Sequence, residues 1–445
     1  MAGASRISWQ TEYNQRLATA EVAVRLVRSG NRIWVHPGNS TPEPLLDALV
    51  ERASELRNVE LLHMLTLGKA AYTHPRYAGS FRHNGLFLGP NTREAVSTGR
   101  ADYTPVSLYE IETLFTSGDL PVDVAFIQVS PPDSYGYVSL GTGVDCTLTA
   151  ASHAPRVVAE VNRNMPRTLG DTFLHVSRIS AIVETARPLL ELPPARSSEV
   201  TQRIARNVAS LVPDGATLQI GIGGIGNEVL AALRGHRDLG IHTELCPDGI
   251  VPLIEAGVIN GARKTLHPGK VVAGFVLGSQ PLFDLIGGNP LFEFHPTSYV
   301  NDPFVIARND NMHAVNCAIQ VDLTGQVCAD SMGTRPYSGV GGQPDFVRGA
   351  ARSKGGKSII ALPSTAKEGA ISRIVPVLDQ GAGVVTPRSD TQYVVTEYGV
   401  AYLRGRTLRQ RAEALIAIAD PKFRDWLREA AARGNYLEAP SALVA

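Results

Sequence analysis

The sequence predicts an α/β protein of two similar open parallel-sheet domains. Three observations lead there: one layout recurs along the chain, short β-rich runs alternate with helical patterns, and the length exceeds what one core holds. The chain has 445 residues, 44% of them hydrophobic, so more than one domain is expected. The recurring layout joins "VRSGNRIWVHPGNSTPEPLLDAL" (27–49) to "LVPDGATLQIGIGGIGNEVLAAL" (211–233). Each reads as helix end, Gly turn, short apolar strand, Gly loop, helix. Gly30 and Gly215 stand 185 positions apart, as do Gly38 and Gly223, and Leu45 and Leu230. Duplication of one α/β unit accounts for this constant spacing.

The first copy opens an N-terminal domain expected over residues 1–194, in which "VDVAFIQVS" (122–130) and "RVVAEVN" (156–162) read as strands. "ELPPARSSE" (191–199) has the Pro and Ser content of a linker or helix start, which places the boundary there and leaves 195–445 as the C-terminal domain. Val200, Ile204, Val208 and Leu211 then fall on one helical face. "KSIIALP" (357–363) and "QYVVTEYG" (392–399) are further strands, and "LRQRAEALIAIA" and "PKFRDWLREAAARG" are closing helices. Such alternation makes parallel sheets covered by helices, with functional sites at the C-terminal ends of the strands.

Composition excludes several classes. With 42 basic and 42 acidic residues, a formal charge of zero and no basic run, the chain lacks a nucleic-acid surface. No stretch reaches the ~18 unbroken apolar residues of a membrane span, and "MAGASRISWQTEYNQR" has no apolar h-region, so a cytoplasmic protein is expected. Four cysteines (Cys146, Cys246, Cys317, Cys328), none closely paired, argue against a disulfide framework or a Cys-based zinc site, and no metal is expected.

Gly221, Gly223 and Gly226 form a literal G-x-G-x-x-G after a strand and before a helix, and Glu244 follows 18 residues beyond Gly226. This is the context of a dinucleotide loop with a ribose-binding acid. The same loop cradles any anionic or carbonyl group with its free amides. Two more loops stand at strand ends, "YSGVGGQPDFVRGA" (337–350) with Gly339, Gly341 and Gly342, and "VSPPDSYGYVSLG" (129–141). Three such loops exceed what one dinucleotide needs and suit an oxyanion hole, in which fixed amides await developing negative charge. His242, beside Glu244, lacks the P-C-x-x-C partner of a zinc deaminase and reads as structural, as does Cys246. Asp345 with Arg348, and Glu397 with Arg404 and Arg406, suit ion pairs or contacts to phosphates, with surface pairing as the default reading. Arg76, Arg82 and His83 suggest a carboxylate site in the loop over 66–85.

The run "YVNDPFVIARNDNMHAVNCAIQVDLTGQVCADSMGTRPYSGVGGQPDFVRGA", with "ALPSTAKEGAISRIVP" and "YVVTEYGVAYLRGRTL", resembles the acetyl-CoA hydrolase/transferase family, in its 4-hydroxybutyrate CoA-transferase branch. "LFLGPNTREAVSTGRADYTPVSLYEI" and "VSPPDSYGYVSLG" look like the matching amino-terminal segments, and the likeness runs from about Arg16 to Leu408. The resemblance implies a class I CoA-transferase of two similar α/β domains, with coenzyme A as substrate and no tightly bound cofactor. It implies that Glu244 is the nucleophile and that the loop of Gly339, Gly341 and Gly342 is the oxyanion and CoA-proximal loop. It implies that Gly221, Ile222, Gly223 and Gly224 line the cleft over the glutamate, and Lys367 suits a CoA phosphate or pantetheine. Members often carry a His where Tyr135 stands and an Asp where Tyr402 stands, so acyl specificity does not carry over. The partners expected are a short-chain acyl-CoA and a carboxylic acid, with the chain as a homo-oligomer. An acyl-CoA hydrolase on the same scaffold, an NAD-dependent oxidoreductase and a nucleotide-sensing module are the rival readings.

Overall fold

The computed structural model describes residues 8–193, 196–221 and 223–438, and the chain folds into two compact units. The first takes the chain up to Pro193 together with Val272–Val300, and the second takes the remainder.

Seven parallel strands make the sheet of the first unit: β1 (Arg32–Val35), β2 (Val59–His63), β3 (Phe81–Gly85), β4 (Asp102–Tyr103), β5 (Val124–Val129), β6 (Arg156–Asn162) and β7 (Ala181–Thr185). Their order across the sheet is β4-β3-β2-β1-β5-β6-β7. Every residue of β5 is buried, as expected of a central strand covered on both faces. Trp34 is fully buried and donates its indole N–H to Thr147 Oγ1 at 3.0 Å. Helix α1 (Glu43–Glu51) follows β1 and buries Leu45, Leu46 and Leu49.

In the second unit, β8 (Thr217–Ile220), β9 (Gly240–Pro247), β12 (Met312–Cys317), β13 (Lys357–Ala361), β14 (Tyr393–Thr396) and β15 (Gly399–Tyr402) lie in the order β9-β8-β12-β13-β14-β15; the numbers between belong to β10 (Val271–Leu277) and β11 (Phe292–Phe294). All run parallel except the antiparallel edge strand β15. Both units therefore place their first strand inside and their second beside it, with β5, β6 and β7 on the other side in the first unit and β12, β13 and β14 in the second. β1 and β8 also sit at the 185-residue spacing of the sequence repeat. The copies differ in the loop after that strand, which covers residues 36–42 in the first and 221–223 in the second.

Residues 272–300, placed in the C-terminal half by a single cut after 194, group with the first unit. Backbone bonding explains this. The Gly274 carbonyl accepts the N–H groups of Val144 and Asp145, each at 3.1 Å, and the Phe294 carbonyl accepts that of Asp171 at 2.8 Å. Helix α2 (Glu199–Ala209) starts in a capping box between Ser198 and Thr201, and buries Ile204 and Val208. Val200, expected on the same face, stays 38% exposed in the first turn. No helix among the described residues is long and apolar enough to cross a membrane.

Glu160, on β6, is a fully buried carboxylate held by a bidentate Arg187, with Nε to Oε1 at 2.6 Å and Nη2 to Oε2 at 2.9 Å. Removing one partner of such a pair strands a charge in the core. Arg187→Ala is expected to destabilise the protein by about 3–5 kcal/mol, read as a lower denaturation midpoint. Adding Glu160→Gln in the same background should recover part of the loss, and a midpoint unchanged by Arg187→Ala would show that the pair is not structural.

Candidate active site

Glu244 is the fifth residue of the eight-residue strand β9. β8 pairs with it in parallel, Leu218 opposite Ile241, and ends at Ile220. Carried forward, that register sets Ile220 level with Thr243, so Glu244 is the first residue of β9 to outrun its neighbour. The strand continues to Pro247, and the expected Pro-Asp-Gly turn is a short helical turn over Asp248–Ile250. The carboxylate thus stands at the C-terminal edge of the sheet on a rigid strand, where open α/β sheets carry their sites.

Two donors meet this carboxylate. Asn301, fully buried, donates from Nδ2 to Glu244 Oε2 at 2.9 Å, and the Gly342 backbone amide donates to the same group. Gly342 is the N-cap of helix α4 (Gln343–Arg352), whose first N–H groups have no partner inside the helix. A Cβ on Gly342 would lie 1.7 Å from Glu244 Oε2 and 2.2 Å from Asn301 Nδ2, so only glycine lets the helix start come this close. Burial pushes the Glu244 pKa above the usual carboxylate value, and the Asn301 and Gly342 bonds pull the other way. Among the described residues no cation pairs with it. Charge is therefore met by neutral, fixed donors, which is the construction of an oxyanion hole.

The structure brings Glu244 and Gly342 together directly. Gly341 precedes Gly342 in a left-handed conformation, φ +58°, and Gly339 is buried earlier in the loop. Gly221 directly follows β8, its N–H bonded to the Val315 carbonyl at 3.0 Å, and Gly223, φ +107°, caps helix α3 (Gly224–Ala232). Gly224 is the first residue of that helix, and Ile222 lies outside the described residues. A Cβ on Gly226 would lie 2.1 Å from the Gly221 carbonyl oxygen, so the third glycine of the motif serves close packing of helix on strand. Lys367 is exposed at the tip of a hairpin between Thr365–Ala366 and Ile371–Ser372.

Several side-chain readings need correction. Glu397 is buried and holds the loop after β13, accepting from Ser364 N at 2.9 Å and Ser364 Oγ at 2.7 Å. Asp345 is buried and accepts from Asn301 Nδ2 at 3.3 Å, while Arg348 pairs with Asp390 at 3.1 Å. Arg82 is gripped through Nε and Nη2 by Asp102, and His83 is buried and stacked on His63 with ring centroids 4.2 Å apart. The loop over 66–85 therefore offers no free arginine–histidine cradle. His242 is buried with its ring 6.2 Å from Phe346, and burial pushes the Cys246 thiol up to about 12, which leaves it protonated and unreactive. Asn301 was not singled out in the sequence. Its neighbours Asp302 and Pro303 signal a helix start, and Asp302 does cap Pro303–Ile306, but nothing local reports a partner on β9.

Residues 1–191 match the acetyl-CoA hydrolase/transferase N-terminal domain, and residues 278–431 match the C-terminal domain of the same family. The chain is 52% identical to a 4-hydroxybutyrate coenzyme A transferase of Clostridium kluyveri, covering 95% of this chain and 98% of that protein. It is 45% identical to a succinyl-CoA:acetate/propanoyl-CoA:succinate CoA transferase of Fasciola hepatica, over 91% and 85% of the two chains. A crystal structure of a 4-hydroxybutyrate CoA-transferase from Porphyromonas gingivalis superposes with a TM-score of 0.83 at 43% identity, covering 96% of this chain and 100% of that one.

Gly342→Ala tests the contact at Glu244. The backbone there, φ −92°, accepts alanine without strain, so the effect is confined to the methyl group pressed on the carboxylate. The melting temperature should stay close to wild type, while turnover falls at least about 100-fold, the usual effect of losing one oxyanion donor. Wild-type turnover would show that the loop withdraws from Glu244 during reaction.

Proposed function

Because the chain belongs to the acetyl-CoA hydrolase/transferase family, we propose that it is an acyl-CoA:carboxylate CoA-transferase working through a covalent thioester on Glu244. The observation that carries the reading is a carboxylate met by Asn301 and the Gly342 amide, with no cation paired to it among the described residues. A ribose-binding acid gains nothing from oxyanion donors, whereas an acyl carrier depends on them.

The atoms balance as follows. One Glu244 oxygen attacks the thioester carbonyl, CoA leaves as thiolate, and an acyl-glutamyl anhydride remains. The thiolate attacks the Glu244 carboxyl carbon, the first acid departs with the bridging oxygen, and a glutamyl-CoA thioester is left. An acceptor carboxylate attacks that carbon, thiolate is expelled and takes the new acyl group, and Glu244 regains an oxygen from the acceptor. Each attack on the Glu244 carbon puts negative charge on an oxygen facing Asn301 and Gly342, where one donor is worth ~3 to 4 kcal/mol. The amides of Gly341, Gly223 and Gly224 serve the substrate's own carbonyl, and Lys367 contacts the phosphates or pantetheine of CoA. Binding of that remote part of CoA supplies energy used at the transition state.

Coenzyme A enters and leaves as substrate, and no bound cofactor takes part. Short-chain acids such as acetate, butyrate, 4-hydroxybutyrate, succinate or itaconate are the exchange partners. Four cysteines without a disulfide fit a reducing compartment, and we place the enzyme in the cytoplasm as a homo-oligomer.

Intact-mass spectrometry with acetyl-, butyryl- or succinyl-CoA and no acceptor tests the reading. A CoA adduct that borohydride reduces to an alcohol at Glu244, absent in Glu244→Gln, is the expected result. Multiple turnovers to free CoA without an adduct would instead assign hydrolysis. Adduct formation should also fall on the acid side with a midpoint above about 4.3, the ordinary glutamate value, because burial raises the nucleophile's pKa and only the carboxylate attacks. A midpoint below that value would contradict the buried setting of Glu244.

A further inference from the structure

Asp345 stands one residue layer behind the donors and belongs to no step above. It lies in the first turn of α4, only 4% exposed, and its Oδ2 accepts at 3.3 Å from the same Asn301 Nδ2 that donates to Glu244. The amide nitrogen of Asn301 therefore sits between two carboxyl groups and spends one hydrogen on each. At the other end of that amide, Oδ1 is buried with no partner among the described residues. Nothing there holds the side chain, so its orientation is set at the nitrogen end. An asparagine amide is nearly isosteric about its axis, and which end faces a neighbour depends only on the bonds it makes.

This matters whenever Glu244 is acylated. While Glu244 is a carboxylate, its charge by itself repels Oδ1 and attracts the NH2 group. Once Glu244 is an anhydride or a thioester it is neutral, and that attraction weakens when an oxyanion is about to form on its carbonyl. Asp345 takes no part in the chemistry and accepts in both states.

We propose that Asp345 is a positioning residue for both attacks on the Glu244 carbon, keeping the donor end of Asn301 on the Glu244 carbonyl oxygen while Glu244 is an anhydride or a thioester. A flipped amide would set Oδ1 against Asp345 as well as against Glu244, so the flip is disfavoured in every state. The same helical turn then supplies both parts of the hole: Gly342 gives its amide directly, and Asp345 orients the second donor. The inference rests on the proposed transferase reading and adds to it a residue that holds the donor in place.

Single-turnover rates separate the two halves: formation of the adduct from acyl-CoA, and its discharge by an acceptor acid. Asp345→Ala is expected to slow both halves roughly tenfold, about the value of one hydrogen bond, because discharge by an acid retraces formation from its CoA ester. Asp345→Asn keeps an oxygen acceptor and should recover most of both rates. In an Asn301→Ala background Asp345→Ala should slow either half clearly less than it does with Asn301 present. Wild-type rates in Asp345→Ala, additive losses in the double variant, or no recovery in Asp345→Asn would each overturn the proposal. Wild-type protein that forms no adduct would instead remove the transferase reading. The orientation of Asn301 is then read apart from turnover by carbon-13 NMR of labelled glutamate, assigned with Glu244→Gln. Asp345→Ala removes a neighbouring carboxyl group in either background, so the shift it causes in the Glu244 midpoint should differ between the wild-type and Asn301→Ala backgrounds, and an identical shift in both counts against the positioning role.

Discussion

Glu244 and the first turn of α4 touch with no space for a β-carbon between them, and the rest of the site is arranged around that approach. A helix can end on a carboxylate only if its first residue has no side chain and its free amides point outward, and Gly342 meets both conditions. The strand must also stop its neighbour short, which β8 does at Ile220. Once these backbones are fixed, the donors need no rearrangement when charge develops, and this preorganisation is the main physical source of rate in such chemistry.

The glycine loops play distinct parts under this constraint. Gly342 is small because the Glu244 carboxylate lies against it, and Gly226 because a helix start lies against the Gly221 carbonyl. Gly341 and Gly223 turn the chain through left-handed backbone. A pattern of glycines therefore records several unrelated geometric demands, and the G-x-G-x-x-G of this chain does not by itself specify a dinucleotide. The carboxylate after it is told apart from a ribose ligand by what faces it, and what faces it comes from 57 and 98 positions farther along the chain.

That distance explains what was legible in the sequence. Strands announced themselves through apolar alternation and the repeat, because those depend on residues close in sequence, and the recurring strand reappears at the expected spacing. Glu244 and its glycine loop were legible through a resemblance carried by several long motifs. Asn301 was not, since its signature, N-D-P, reads locally as a helix cap and its second meaning exists only after folding. Glu397 and Asp345 read as surface charges in the sequence because their buried partners, Ser364 and Asn301, are tens of residues away. Arg82 failed in the opposite direction: a cation that looked available is occupied by Asp102, on the neighbouring strand.

The return of residues 272–300 to the first unit means that the polypeptide passes between the units three times rather than once. Asn301 is the residue at which the last passage ends. A gene exchange that joined the front half of one such protein to the back half of another would therefore not swap two independent modules. It would set a sheet from one parent against a bonded segment from the other, so that the bonds of Val144, Asp145 and Asp171 to that segment would have to form between residues of different origin.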